Sequence, residues 1–197
     1  MSGFAGKTVS TALLNRARRG DPAAQESIYR LFSTPVFSLA ARMTGSRSAA
    51  EDILQDSFID VLRGLQGFRG DAAFSTWVRR IAVSRSLMYL RTAWQRRATL
   101  FRDLVNDDNA DWEIADAQTR DPGTGMDLES ALARLGDVSR VVVMLHDVEG
   151  YTHAEIGELM GMSESFSKSQ LSRAHRRLRS MLAEHSSGPG EQDAGTA

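Results

Sequence analysis

The sequence predicts an all-α protein: two small helical domains joined by a flexible acidic linker, the second a helix-turn-helix domain. Three observations predict it. Apolar residues recur at helical spacing along most of the chain, strand alternation is absent, and β-branched runs are short. That periodicity is lost across 101–126, where Asp107-Asp108-Asn109, Asp121-Pro122-Gly123 and Gly125 read as a linker. Charge divides in the same way. Residues 1–100 hold fifteen Lys or Arg against seven Asp or Glu, and residues 101–130 hold two against nine, so the net charge of −1 conceals a basic first half and an acidic connector.

Ser10 opens a short helical stretch that ends near Gly20. Asp21-Pro22 is a strong start, because Asp caps and Pro suits the first helical position. Ile28, Leu31 and Phe32 continue as an apolar stripe. Pro35 is expected to break or restart the helix, and Val36, Phe37, Leu39, Ala40 and Met43 carry it on to Gly45. Ser48 is the expected cap of the next helix, whose apolar face is Ile53, Leu54, Phe58, Val61 and Leu62. Gly64, Gly67 and Gly70 mark a loop before a long helix from about Thr76 to Arg97.

After the linker, residues 128–135 resume helix. Gly136-Asp137 is a break with a capping Asp, and Val138 to Val148 is helical until Gly150. Thr152-His153-Ala154-Glu155 is a capping box that opens a helix closing at Gly161. Ser163 caps the last helix, which runs to about His185. Residues 186–197 are Gly-, Ser- and acid-rich and are expected to be a disordered tail, too short for a folded regulatory extension. The domains are therefore expected at 10–97 and 128–183, with the linker at 101–126.

Three segments carry chemistry. In the helix around Glu51–Asp60, Asp52, Gln55, Asp56 and Ile59 share one side at i, i+3, i+4 and i+7. Such a side suits a basic protein surface, and a plain solvated face would look the same. The following helix opens with Phe74 and Trp77 and carries Arg79, Arg80, Arg85, Arg91, Arg96 and Arg97, with no acid between Asp71 and Asp103. Arginine forks suit phosphates and base edges, and aromatics stack on unpaired bases, although both rings also suit simple packing. Near the C-terminus, Gly150-Tyr151-Thr152-x-x-Glu155-Ile156-Gly157-x-x-Met160-Gly161 followed by Ser163–Arg179 has helix-turn-helix spacing. Lys168, Arg173, Arg176, Arg177 and Arg179 make its second helix basic.

These residues carry a family resemblance. Glu51-Asp52-x-x-Gln55-Asp56-x-Phe58, then Phe68-Arg69-Gly70, then Phe74-x-x-Trp77-x-x-x-Ile81-Ala82 resembles region 2 of the extracytoplasmic-function (ECF) sigma factors, dissociable promoter-recognition subunits of bacterial RNA polymerase. The C-terminal block resembles their region 4. The resemblance implies that Asp52, Gln55 and Asp56 dock on the clamp helices of the polymerase largest subunit. It implies that Phe74, Trp77, Arg79, Arg80, Ser84, Arg85 and Arg91 meet the downstream promoter element, with one base flipped out. It implies that Glu164, Ser165, Phe166, Lys168, Gln170, Arg173 and Arg176 meet the upstream element, that the second domain reaches the polymerase flap, and that the linker runs towards the RNA exit path. An anti-sigma factor clamped between the domains is a candidate partner. This chain departs from the family pattern at Ser84 (commonly Asn), Met88 (often Asp), Gly136 (usually Pro), Gly157 (usually Ala) and Ser165-Phe166-Ser167 (commonly Gly-Thr-Val).

The remaining classes fit poorly. There is no cysteine, so disulfides, thiolate ligands and a cysteine nucleophile are excluded. His146, His153, His175 and His185 are not at ligand spacing, and no metal or cofactor is expected. Ser, His and Asp stand in no nucleophile motif, so the chain reads as a non-enzyme. No apolar run reaches a membrane span and no secretory signal is visible, which points to the cytoplasm and to no membrane insertion. Two rival readings stay open: a helix-turn-helix regulator acting on duplex DNA without polymerase, and a sigma paralogue that only sequesters a partner.

Overall fold

The computed structural model describes residues 3–102 and 128–186, and every regular element among them is helical. The linker from residue 103 to 126 and the tail beyond Ser186 lie outside the described residues. The first unit consists of α1 (Thr11–Arg18), α2 (Pro22–Thr44), α3 (Arg47–Gly64), a single 3-10 turn at Leu65–Gly67, and α4 (Phe74–Arg102). The second consists of α5 (Leu128–Ala133), α6 (Asp137–Val143), a π-helical turn (Met144–Val148), α7 (His153–Met160) and α8 (Glu164–Ser186).

Local chemistry sets most of the boundaries. Ser10 accepts from the Leu13 N–H, and Asp21 accepts from the Ala23 and Ala24 N–H groups with Pro22 at the first helical position. The Thr152–Glu155 capping box is complete, and Ser163 Oγ accepts from the Phe166 N–H. Gly45 and Gly161 close α2 and α7 at φ of +66° and +70°, where a Cβ would be strained.

Four expectations change. Pro35 neither breaks nor restarts α2, which runs through it; the ring is buried, so packing around it outweighs the lost backbone bond. Ser46, not Ser48, caps α3. Gly136 holds the cap position of α6, and Asp137 is its first helical residue, with its carboxylate drawn to Arg140 and Trp94. Helix α4 begins at Phe74 and continues to Arg102, beyond the expected end near Arg97.

In the first unit α2, α3 and α4 pack together around Ile28, Phe32, Val36, Phe58, Val61, Phe74, Val78 and Leu87. Fully burying such side chains stabilises by roughly 1.5–3 kcal/mol each. In the second unit α8 packs on α5, α6 and α7, through Val141, Leu145, Ile156, Leu171, Ala174 and Leu178. The two units also touch. Helix α2 meets α5 and α6, α4 meets α7, and the buried side chains form one continuous cluster through both.

Candidate nucleic-acid interface

Helix α3 lies between α2 and α4 with its outer side in solvent. Ile53 and Phe58 point inward and Leu54 is half-buried, while Asp52, Gln55 and Asp56 are exposed beside Ile59. The structure therefore brings the three acidic-face residues together on an open surface. Asp56 also approaches Arg85 of α4 at 3.8 Å.

Arg85 is held more firmly by Asp60. Its Nε and one terminal nitrogen donate to the two carboxylate oxygens at 2.5 and 2.6 Å. This bidentate pair ties α4 to α3. The Arg85 hydrogen bond holds the Asp60 carboxyl below the usual carboxylate range, and the same bond raises Arg85. Arg85 is thus occupied by protein.

Phe74 is 6% exposed, with its ring against Phe32, Phe68 and Trp77 at centroid distances of 5.7, 5.2 and 5.4 Å. In this conformation it is a packing residue. Trp77 is half-buried and covers Gly64, where a Cβ would lie 2.9 Å from the indole. One face of the indole packs, and Trp77 shares an outer sector of α4 with Arg80, Ser84, Met88 and Arg91, at i, i+3, i+7, i+11 and i+14. Arg80, Ser84, Met88 and Arg91 are exposed. Arg91 nevertheless donates to the Leu159 carbonyl of α7. Arg79 points to another side, donating to the Glu149 carbonyl at 2.7 Å with its guanidinium carbon 5.3 Å from the Tyr151 ring centre. Burial raises the Tyr151 phenol.

The second unit positions α8 by a tight turn. The Met162 N–H donates to the Gly157 carbonyl at 2.8 Å. A Cβ on Gly157 would come within 2.8 Å of the Met162 carbonyl oxygen, so glycine permits this approach. Glu164, Ser165, Lys168, Arg173 and Arg176 are exposed on α8, with Lys168 paired to Glu164 at 2.6 Å and lowering its carboxyl. Phe166 and Gln170 are half-buried on another flank, and Gln170 accepts from Ser139 Oγ at 3.0 Å. Ser169 and Ser172, which the motif reading passed over, complete the outward row Ser165, Ser169, Ser172, Arg176. The i, i+4, i+7, i+11 spacing from Ser165 would have found them.

Three of the four histidines come together around Asp147, which sequence spacing did not suggest. His175 and His146 approach its two carboxylate oxygens at 2.6 and 2.8 Å, and His146 stacks on His153 at 4.4 Å. Burial would raise the Asp147 carboxyl, but the two histidine hydrogen bonds outweigh it and the group is lowered. Burial lowers His153. Among the described residues no group of three or more such side chains is arranged to hold a metal ion. Nor is any helix among them long and apolar enough to cross a membrane.

An acid-faced helix beside an arginine-bearing one, joined to a helix-turn-helix, fits a sigma-70-type promoter-recognition protein, and the family matches show that class. The Sigma-70 region 2 family matches residues 28–96, and the Sigma-70, region 4 family matches 125–178. The chain is 31% identical to the ECF RNA polymerase sigma factor SigM of Mycobacterium tuberculosis (strain Erdman) over 91% of this chain and 89% of that one. It is 32% identical to the ECF RNA polymerase sigma factor SigE of Mycolicibacterium smegmatis, covering 85% of this chain but only 66% of the relative. In fold it resembles the Bartonella quintana sigma factor RpoE in its complex with the anti-sigma factor NepR, at a TM-score of 0.51 and 20% identity over 80% of this chain and 96% of that one. It also resembles CnrH in complex with the cytosolic domain of CnrY, at 0.50 and 22% over 88% and 96%. The chain belongs to the ECF sigma factors of RNA polymerase. It is an alternative sigma factor, a transcription regulator that directs the polymerase.

Proposed function

We propose that the two units, 10–97 and 128–183, divide promoter recognition between them, joined by the 101–126 linker. Asp52, Gln55 and Asp56 on α3 hold the clamp helices of the polymerase largest subunit. Trp77, Arg80, Ser84 and Arg91 on α4 meet the melted downstream element. Ser165, Lys168, Ser169, Ser172, Arg173 and Arg176 on α8 meet the upstream element in duplex form, near the flap. The chain is not itself an enzyme and works in the bacterial cytoplasm. RNA synthesis belongs to the polymerase, and this protein traps unpaired bases to offset the few kcal/mol that extruding a base costs. An anti-sigma factor would clamp between the two units.

The observation that carries this reading is the separation of three exposed surfaces on two units of one chain: acids on α3, a basic outer sector on α4, and a polar row on α8 behind a tight turn. Transcription in vitro with purified core polymerase and genomic fragments tests it. Specific transcripts that require both proteins are expected. Sequence-specific duplex footprints without polymerase, and no transcripts with it, would favour the duplex-regulator reading instead.

A further inference from the structure

We infer that Arg18 of α1 is a positioning residue for promoter opening. It fixes the turn between α3 and α4 and, through Phe68, the pose in which Trp77 meets an unpaired base. The inference rests on the assignment of Trp77 to the melted strand made above. Helix α1 lies before residue 28, where the region 2 match begins, so the match gives it no role. Its own chemistry gives it one. Ser10 caps it, Leu14 and Ala17 bury its inner side, and Arg16 pairs with Asp21 at 2.7 Å just past its end. Gln25 of α2 donates to the Ala17 carbonyl at 3.2 Å. These ties hold α1 on α2 and bring Arg18, half-buried, against the turn after α3.

The guanidinium braces that turn. Its Nε donates to the Leu65 carbonyl at 3.0 Å, and one terminal nitrogen donates to the Phe68 carbonyl. The other terminal nitrogen donates to Asn15 Oδ1 at 3.2 Å, one turn back on α1, which fixes the fork. Gln66 answers by donating to the Arg18 carbonyl at 2.6 Å, at the end of α1 where carbonyls lack helical partners. The Leu65 carbonyl also accepts the Phe68 N–H at 3.4 Å, so the 3-10 turn is closed from within and braced from outside. A planar guanidinium can bridge two carbonyls in one fixed geometry, which a lysine ammonium cannot. Beyond Phe68 the loop has weaker support, since Arg69 and Asp71 form an exposed pair of the kind that adds little. The brace ends at the stacking surface. The half-buried Phe68 ring lies 5.2 Å from Phe74 and 5.1 Å from Trp77. Phe74 is buried against Phe32 and cannot give way. Drift of the Phe68 backbone is therefore taken up at Trp77, whose indole sits between Phe68 and Gly64, on either side of the Leu65–Gly67 turn.

Two measurements on the full chain test this. Hydrogen exchange of peptides spanning 65–73 reads the brace without DNA. Permanganate reactivity of promoter thymines with core polymerase, beside a gel-shift of the closed complex, reads opening. Arg18→Met is expected to speed exchange in 65–73 about tenfold, because a local tie is lost while the unit stays folded. It should reduce opening about fivefold, a part of what stacking on one base supplies, and keep closed-complex affinity. Gln66→Ala, which removes one exposed donor, should do both more weakly. Ser46→Ala is the control for stability alone: it removes the cap at the far end of α3 and should leave opening unchanged. Unchanged exchange in Arg18→Met would overturn the brace. Faster exchange with undiminished opening would overturn its part in opening, as would an equal loss from Ser46→Ala. Arg18→Lys keeps the charge and loses the fork, so full recovery of opening by lysine would make the residue a charge towards DNA and overturn the positioning role. Trp77→Leu separates the underlying assignment: if it spares opening, the indole is not the stacking group and the positioning role falls with it, while exchange still decides whether Arg18 braces the turn.

Discussion

Helices α4 and α8 both carry arginines and both were expected to face promoter DNA, yet they stand in different surroundings. On α4, Arg85 is clasped by Asp60, Arg79 by Glu149, and Arg91 by a carbonyl of α7. On α8, Arg173 and Arg176 are exposed, and the row they extend faces solvent. The same residue type thus serves two purposes. Where an arginine lies between packed helices it is first a structural tie, and where a helix has only one packed side it remains available to a ligand.

The largest effect that would break this contrast comes from Trp77. Its indole covers Gly64 and joins Phe68 and Phe74, so Trp77→Ala is expected to cost about 3 kcal/mol of stability, read from chemical denaturation. An unaltered midpoint would make the ring a pure base-stacking group. Next, Asp52→Arg with Asp56→Arg should weaken core-polymerase binding about a hundredfold, or roughly 2.7 kcal/mol, through like-charge contact. The unfolding free energy should move by less than about 0.5 kcal/mol, because both positions are exposed. Retained co-purification with core would remove α3 from the docking surface.

Gly157→Ala is expected to destabilise by about 1–2 kcal/mol, since the added methyl meets backbone rather than a flexible side chain. A more stable variant would show that the turn before α8 relaxes freely. Arg176→Ala should leave stability alone and reduce the salt dependence of duplex binding by about one unit, with similar losses across sequences. A loss confined to one sequence would make Arg176 a base reader.

The smallest effect concerns Asp60. Its folded carboxyl lies below the ordinary 3.8, so its contribution is complete above that value and is lost as pH falls through the folded one. Asp60→Asn should therefore lower stability by about 1 kcal/mol or less at neutral pH. Wild type and variant should converge only below pH 3.8. A gap that closed between pH 5 and 7 would assign the effect to another group.

Much of the fold was legible because caps and apolar spacing act within a few residues. Asp21-Pro22, Thr152 with Glu155, and Ser163 each set a helix start from local hydrogen bonds. Pro35 misled because its penalty is local while its compensation is burial against distant side chains. At the candidate interfaces, exposure on α3 and on one side of α8 followed from helical periodicity. The roles of Arg79, Arg91 and Arg140 did not, since their partners lie 70, 68 and 97 residues away in sequence. Phe74 was ambiguous for the same reason: an aromatic at a helix start looks alike in a core and beside a base.

The π-helical turn at Met144–Val148 has a consequence for how such a chain can diverge. There the Glu149 N–H bonds to the Met144 carbonyl, five residues back rather than four. A turn of this kind holds one residue more than an α-helix needs. Deleting Asp147 would restore regular winding and leave the flanking residues close to their present phase, because the wider turn rotates the chain about as far with its extra residue as an α-turn does without it. A single-codon deletion would thus remove the carboxylate that His146 and His175 share while leaving the helix-turn-helix in place.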